Sequence, residues 1–475
     1  MKKLISILVC LALTLMANAE IRVAHIFSDN MVLQQQSKVA VWGWAKPNTM
    51  VQIIPSWDKK VYQVKAGQDG KWKAEIATPK AGKTAYQITF SDGKSLTLNN
   101  VLIGEVWLCS GQSNMEMPMK GFKGNPILNS NLDILKSKNS MLRLVIVKRS
   151  GQLKPVDDII GNWQEATPET VSEFSATGYY FGKTLNELLD VPVGLILSSW
   201  GGSTIESWMS TEMLKDFPNA KIPQQGDSIK APNRTPIMLY NGMINPIAGY
   251  GIKGCIWYQG ESNYEFPDLY PALFQKMVSS WRQLWNQGNF PFYYCQIAPY
   301  NYASISPKEK QGGKFNSAYL REAQNKAAKL IPNSGMAVLM DIGEEFCIHP
   351  MRKNVGGERL ALLALGKTYG LKGFAYESPS LKEITVDKEG KIILIFDNAP
   401  LWLTSFGKEL KSFEIAGENK LFYPAKAVIN RNKVEVSSPD VPKPVAVRYA
   451  FKDFAVGDLF SSEGLPVSSF RTDEW

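Results

Sequence analysis

Histidine is almost missing from this chain: its 475 residues contain two, His25 and His349. There is also no Cys-x-x-Cys pair, so the usual zinc ligand sets are lacking and neither metal nor cofactor is expected. No Gly-x-x-x-x-Gly-Lys loop is present, which removes phosphate cradling of that type. Long apolar runs are confined to the start. Lys2 and Lys3, apolar Leu4 to Met16 and small Ala17-Asn-Ala19 predict a secretory signal peptide over 1–19. That run is too short for a mature membrane anchor, and no later stretch is long and uncharged enough. Cys10 lies too deep in it for a lipidation site. A secreted or periplasmic chain without a membrane anchor is expected.

Cysteine is scarce too. Beyond the leader stand Cys109, Cys255, Cys295 and Cys347, three of them in or beside apolar runs, where a free buried thiol is common. Export permits disulfides, and the sequence leaves their formation open. A concentrated charge is also lacking. The net charge of +9 falls to +7 without Lys2 and Lys3, and it is spread along the chain rather than gathered in runs. No nucleic-acid partner is expected.

The length exceeds the roughly 150-residue domain prior about threefold. Residues 20–100 read as a β-rich N-terminal domain. Val39–Trp44, Val51–Ile54 and Tyr86–Phe90 alternate, with Asp69-Gly70 and Asp92-Gly93 as hairpin-type turns. Residues 101–370 alternate strand-like and helical segments: Val101–Trp107, helical Tyr179–Leu189, Val191–Leu197, Gly254–Tyr258 and helical Leu269–Trp285. Phe290–Ile297, helical Ala318–Leu330, Met336–Ile342 and helical Val355–Leu365 follow. Such alternation predicts a parallel sheet covered on both faces. From 371 to 475 the β pattern returns, with Ile384–Val386, Lys391–Phe396, Lys433–Val436 and Val445–Tyr449. The flanks form separate β domains or pair into one sandwich.

In such a sheet chemistry gathers at the carboxyl ends of the strands. Four turns stand there: Gly111-Gln-Ser-Asn114, Ser199-Trp-Gly-Gly-Ser203, Gln259-Gly-Glu-Ser-Asn263, and Asp341-Ile-Gly343 leading to His349. In chain order they supply a serine, a glycine N–H, an asparagine amide and an imidazole. An ester hydrolase needs that inventory: a nucleophile, a base, and donors for a developing oxyanion. A serine after glycine is more often a helix cap, but the scarcity of histidine ties Ser113 to His349.

These blocks resemble those of the SGNH hydrolases, relatives of the GDSL esterases. More narrowly, Gly-Gln-Ser-Asn-Met115, Trp200-Gly-Gly-Ser203, Trp257-Tyr-Gln-Gly-Glu-Ser-Asn263 and Ile348-His-Pro350 resemble the sialate O-acetylesterase family. So do Leu239–Pro246, Glu463–Pro466 and Phe470–Asp473, and the resemblance runs from about Asp29 to the C-terminus. It implies an SGNH-type three-layer α/β/α core between β-rich, sandwich-like flanks, and an O-acetylated sugar as substrate. Ser113 would be the nucleophile and His349 the base. The oxyanion donors would be Ser113 N–H, an N–H at Gly201 or Gly202 (Gly202 being chosen), and the Asn263 amide. Gln259, Glu261 and Asn114 would orient the loops around them.

One departure matters. Many family members carry an Asp two residues before this histidine, other SGNH enzymes three before, and here Cys347 and Phe346 occupy those positions. Three readings follow: a dyad whose ring is held by a backbone carbonyl, a substitute acid from Asp341, Glu344 or Glu345, or a weakened enzyme; a carboxylate elsewhere in the fold could also serve. The first two are favoured. Acetylated xylan is the alternative substrate. A carbohydrate-binding protein, stacking sugars on Trp42, Trp44, Trp57 and Trp72, is the alternative of another class. Arg321 and Arg352 lie near the motifs as cations for a sugar carboxylate or as structural ion pairs.

Overall fold

The computed structural model describes residues 20–305 and 316–475. The signal-peptide segment 1–19 lies outside them. Among the described residues no helix is long and apolar enough to cross a membrane.

One strand, β1 (Ser95–Gly111), organises the molecule, and its final 11 residues are all buried. Burial on both faces explains why Val101–Trp107 reads as a continuous apolar run rather than an alternating one. Around it stand β2 (Asn139–Ile146), β3 (Gln164–Ala166), β4 (Val193–Ser199), β5 (Gly254–Tyr258), β6 (Phe292–Cys295) and β7 (Ser334–Ala337). Their order is β3-β2-β4-β1-β5-β6-β7. β4 and β5 run parallel to β1 on either side, and β3 alone of the seven is antiparallel to its neighbour.

The first half of β1 has other partners. It pairs antiparallel with Gly82–Ser91 and parallel with Val32–Gln34, and Met50–Pro55 pairs onward from Gly82–Ser91. The expected parallel sheet is therefore a mixed sheet of 11 strands. The reason is the length of β1, which crosses the 100/101 boundary without a break. Arg22–Val23, Lys38–Trp44 and Lys71–Ala77 form a separate three-stranded sheet.

Alternate side chains of the central strands enter two apolar clusters, as the pleat requires. Leu108, Ile196 and Trp257 join α3 (Tyr270–Trp285) and α4 (Ala318–Leu330). Trp107, Leu195 and Ile256 join α2 (Ala176–Leu189) and α5 (Lys353–Leu363). α2 begins three residues before its expected start because Ser175 Oγ accepts the Gly178 N–H at 2.9 Å, an N-cap. Its apolar stripe ends early, and Leu188 is 58% exposed. Strand β2 was not anticipated. Arg143 interrupts its apolar run, yet the guanidinium is buried and satisfied by Ser140 O at 2.7 Å and Glu165 at 3.2 Å.

After residue 371 two four-stranded sheets follow. Ile392, Leu394, Val434 and Val436 from one share an apolar cluster with Phe413, Ile415, Val447 and Tyr449 from the other. Val338 and Met340, just past β7, belong to that same cluster and tie these sheets to the core. All four described cysteines are free.

Candidate active site

Ser113 opens a single helical turn, α1 (Ser113–Glu116), directly after β1. The chain makes this turn through Gly111, whose φ is +136° and where a Cβ would fall 2.2 Å from Tyr258 O. Only glycine fits that approach. Gln112 then locks the neighbouring loop. Its N–H donates to Tyr258 O at 2.9 Å, and its Oε1 accepts from Gly260 and Ser262 N–H, both at 3.3 Å.

The turn after β4 lies against Ser113. A Cβ on Gly201 would meet Ser113 Cβ at 3.2 Å. Of the two candidate donors, Gly201 N–H is already taken, donating to Glu116 Oε2 at 2.8 Å. Gly202 has φ +69°, and its N–H makes no hydrogen bond among the described residues. Its carbonyl accepts from Arg234 Nε at 3.2 Å, so the peptide is held while the N–H stays available.

Asn263 follows β5 and is buried. Its Oδ1 accepts from Gln259 Nε2 at 2.6 Å and Ile205 N–H at 2.9 Å. That fixes the amide orientation, and Nδ2 donates to Glu206 Oε2 at 3.0 Å. An amide nitrogen has two hydrogens, so one remains for a ligand. Gln259 is held in turn by Tyr270 OH at 3.0 Å.

His349 comes after β7. Its Nδ1 lies 3.2 Å from Asn125 Oδ1, and Phe122 packs edge-on against its ring at 5.3 Å. Asn125 Nδ2 donates to Lys123 O at 3.3 Å, so Oδ1 faces the ring and Nδ1 carries the proton. Burial, with the charge of Lys353 second, lowers the imidazole to about 4.

Neither favoured reading of the departure holds among the described residues. No backbone carbonyl holds the imidazole, whose ring nitrogen bonds Asn125. Of the three acids, Asp341 pairs with Arg359 at 2.6 Å, Glu344 accepts Met351 N–H at 2.7 Å, and Glu345 is exposed. Cys347 Sγ lies 3.1 Å from Asn125 Oδ1 and 3.2 Å from His349 O. The thiol thus braces the residue that orients the ring.

Between the first and last turns lies a buried polar set. Asn114 Nδ2 donates to Glu261 Oε1 and, at 3.1 Å, to Ile348 O. Its Oδ1 accepts from Lys353 Nζ at 2.6 Å, and Lys353 also donates to Pro350 O at 2.9 Å. Of the carbonyls on either side of His349, that of Ile348 is therefore gripped from the serine turn directly, and that of Pro350 by Lys353, which Asn114 holds in turn. Burial raises the Glu261 carboxyl, opposed by Asn114 and Lys353, and lowers the Lys353 ammonium to about 8.

The remaining candidates fall elsewhere. Arg321 is fully buried and structural, donating from Nη1 to Ser317 Oγ at 3.2 Å and from Nε to Ser469 Oγ at 3.0 Å. Exposed Arg352 reaches Asp341 O at 3.5 Å. Trp42, Trp44 and Trp72 line a separate cavity of about 320 Å³, with Arg22 already stacked 3.5 Å over Trp44. Trp57 donates to Ala77 O at 3.0 Å. The sequence reading overlooked Gln112, Glu116, Asn125 and Lys353. A lysine four residues after the only late histidine was the one available signal.

A family model described as carbohydrate esterase, sialic acid-specific acetylesterase, matches residues 103–343. Sialate O-acetylesterases of Homo sapiens and Pongo abelii are each 31% identical over 404 residues, covering 76% of this chain and 74% of theirs. A carbohydrate acetylesterase from Xanthomonas citri, known from its crystal structure, is 35% identical with a TM-score of 0.85, covering 96% of this chain and 100% of that one. Likeness of that extent makes the chain a carboxylic ester hydrolase, and it belongs to the sialic acid-specific acetylesterase family of carbohydrate esterases.

Proposed function

We propose that this chain is an exported serine esterase that removes O-acetyl groups from sialic acids. Ser113 Oγ attacks the acetyl carbonyl while His349 Nε2 accepts its proton. The oxyanion forms against Ser113 N–H, Gly202 N–H and the second hydrogen of Asn263 Nδ2. His349 returns the proton to the sugar oxygen as the C–O bond breaks, leaving acetyl-Ser113. Water, deprotonated by His349, then releases acetate and frees the serine. Asn125 holds the tautomer that leaves Nε2 unprotonated, but as a neutral group it lends the imidazolium less support than a carboxylate does.

The single observation that carries this reading is the link that Asn114, beside Ser113, makes to the His349 segment, directly to Ile348 O and through Lys353 to Pro350 O. The helices packed on both faces of the sheet support an SGNH-type three-layer core; the division into that core over 101–370, β-rich flanks over 20–100 and 371–475, and a cleaved leader over 1–19 is part of the proposal. The Xanthomonas citri relative is a carbohydrate acetylesterase, which leaves the sugar open, and acetylated plant polysaccharide stands as the second reading.

The test is acetate release from 9-O-acetylated sialic acid and from acetylated xylan by the mature chain and by Ser113→Ala. Turnover by the parent alone, faster on the sialic acid, is expected. Turnover that survives Ser113→Ala sinks the nucleophile assignment, and preference for xylan moves the substrate to the second reading.

A further inference from the structure

Strands β2, β4 and β1 are parallel neighbours, so the segments after Ile146, Ser199 and Gly111 all emerge at one end of the sheet. Beyond β2 at that end lies a cleft of about 330 Å³, within the range of small-ligand sites. Its lining includes Glu116, Phe122, Ile146, Lys148, Arg149 and Ser199. Two of these touch the residues assigned to the reaction. Phe122 packs on the His349 ring, and Glu116, on the helical turn of Ser113, accepts the Gly201 N–H.

Two groups in the cleft are unspent. Ser199 Oγ is buried and has no hydrogen-bond partner among the described residues, a condition that costs free energy unless a ligand relieves it. Lys148 is exposed and makes no ion pair among the described residues. The other charges are matched: Arg149 binds Glu116 at 2.6 Å, and Glu173 binds Lys120 at 2.6 Å. One positive charge is therefore left over.

Direction of departure decides what the cleft holds. A leaving alcohol must lie on the side of the group that protonates it. That group is His349, and its Phe122 neighbour forms the cleft wall. We infer that the cleft is the subsite of the leaving sugar and that it favours sugars bearing a carboxylate, with Lys148 facing the carboxylate and Ser199 Oγ bonding a ring substituent. This rests on the esterase reading above and adds the residues that would select the substrate.

The experiment measures kcat and KM of the mature chain, Lys148→Ala and Lys148→Glu. The substrates are 9-O-acetylated sialic acid, an acetylated neutral xylo-oligosaccharide and 4-nitrophenyl acetate. The acidic-over-neutral preference in kcat/KM is expected to fall roughly 3- to 10-fold in Lys148→Ala and further in Lys148→Glu, chiefly through KM. In the parent that preference weakens with added salt, and in Lys148→Ala it does so less. A preference that stays constant across the three proteins, or a fall carried by kcat on all substrates alike, overturns the inference. Failure of the underlying reading looks different: the parent then shows no Ser113-dependent turnover of 4-nitrophenyl acetate.

Discussion

In the proposed reaction His349 serves as a neutral base. Burial, assisted by the Lys353 charge, holds the imidazole near 4 against an ordinary value of 6.5. On that reading it is free to accept a proton across the whole neutral range and is disabled only when acid protonates it. The acid limb of kcat/KM, which reports the free enzyme, is expected near pH 4 rather than 6.5. Lys353→Met removes a charge that depresses the imidazole, so that limb is expected to move upward. If kcat falls while the limb stays at about 4, Lys353 acts only by bracing the loop. Asn125→Ala is expected to slow turnover with KM little altered, by less than the roughly 10²–10⁴-fold that a whole proton transfer supplies. Cys347→Asp is expected to retain turnover and to raise the imidazole, seen again as an upward shift of the acid limb. Loss of turnover in a folded Cys347→Asp protein would show that the thiol's bracing of Asn125 cannot be replaced. Ser113, His349 and Asn263 could be proposed from the sequence because each sits in or after a turn that ends a strand, and because histidine is rare in the chain. Asn125 could not, since it acts from a loop 224 positions away from its histidine, and asparagine is ordinary in a loop.

Periodicity located α3 and α4 to within a residue or two because tertiary burial agrees with their apolar stripes. It failed where a charged side chain is buried with its own partners. Arg143 hid β2, and Arg321 was open to a ligand role although α4 uses it as a rivet. Arg321 Nη2 donates to Lys452 O and Nε donates to Ser469 Oγ, joining α4 to the C-terminal sheets. Arg321→Ala would leave those acceptors buried and unpaired. A loss of about 3–5 kcal/mol is expected, read as a lower urea midpoint, with KM for sugar esters close to the parent's. A large KM change at unchanged midpoint would return Arg321 to the binding role.

At the scale of the whole molecule the flanks are not appendages. β1 begins among N-terminal strands and ends at the Ser113 turn, and the C-terminal sheets share a cluster with residues just past β7. The boundary at 100/101 seemed natural because composition changes there, from alternating residues to a continuous apolar run. Composition follows burial, however, and burial changes midway along one unbroken strand. Calorimetry of the mature chain is accordingly expected to show residues 20–111 melting together with the core, and a fragment beginning at residue 101 to lack a cooperative transition. A fragment that folds and turns over 4-nitrophenyl acetate would refute this.

The continuity of β1 also constrains how such a chain can change by insertion and deletion. Side chains along a strand alternate with a period of two, so losing one residue exchanges the two faces for everything beyond it. Between the last N-terminal pairing and Gly111 there is no loop to absorb the slip. A one-residue deletion near Asn100 would either present the wrong faces of Val101–Ser110 to the two helical layers or push the serine turn out of reach of Gly201 and His349. A two-residue deletion preserves the faces and shortens the strand by about 7 Å. Distance along this strand is thus inherited in steps of two, and the N-terminal β region sets the reach of the Ser113 turn.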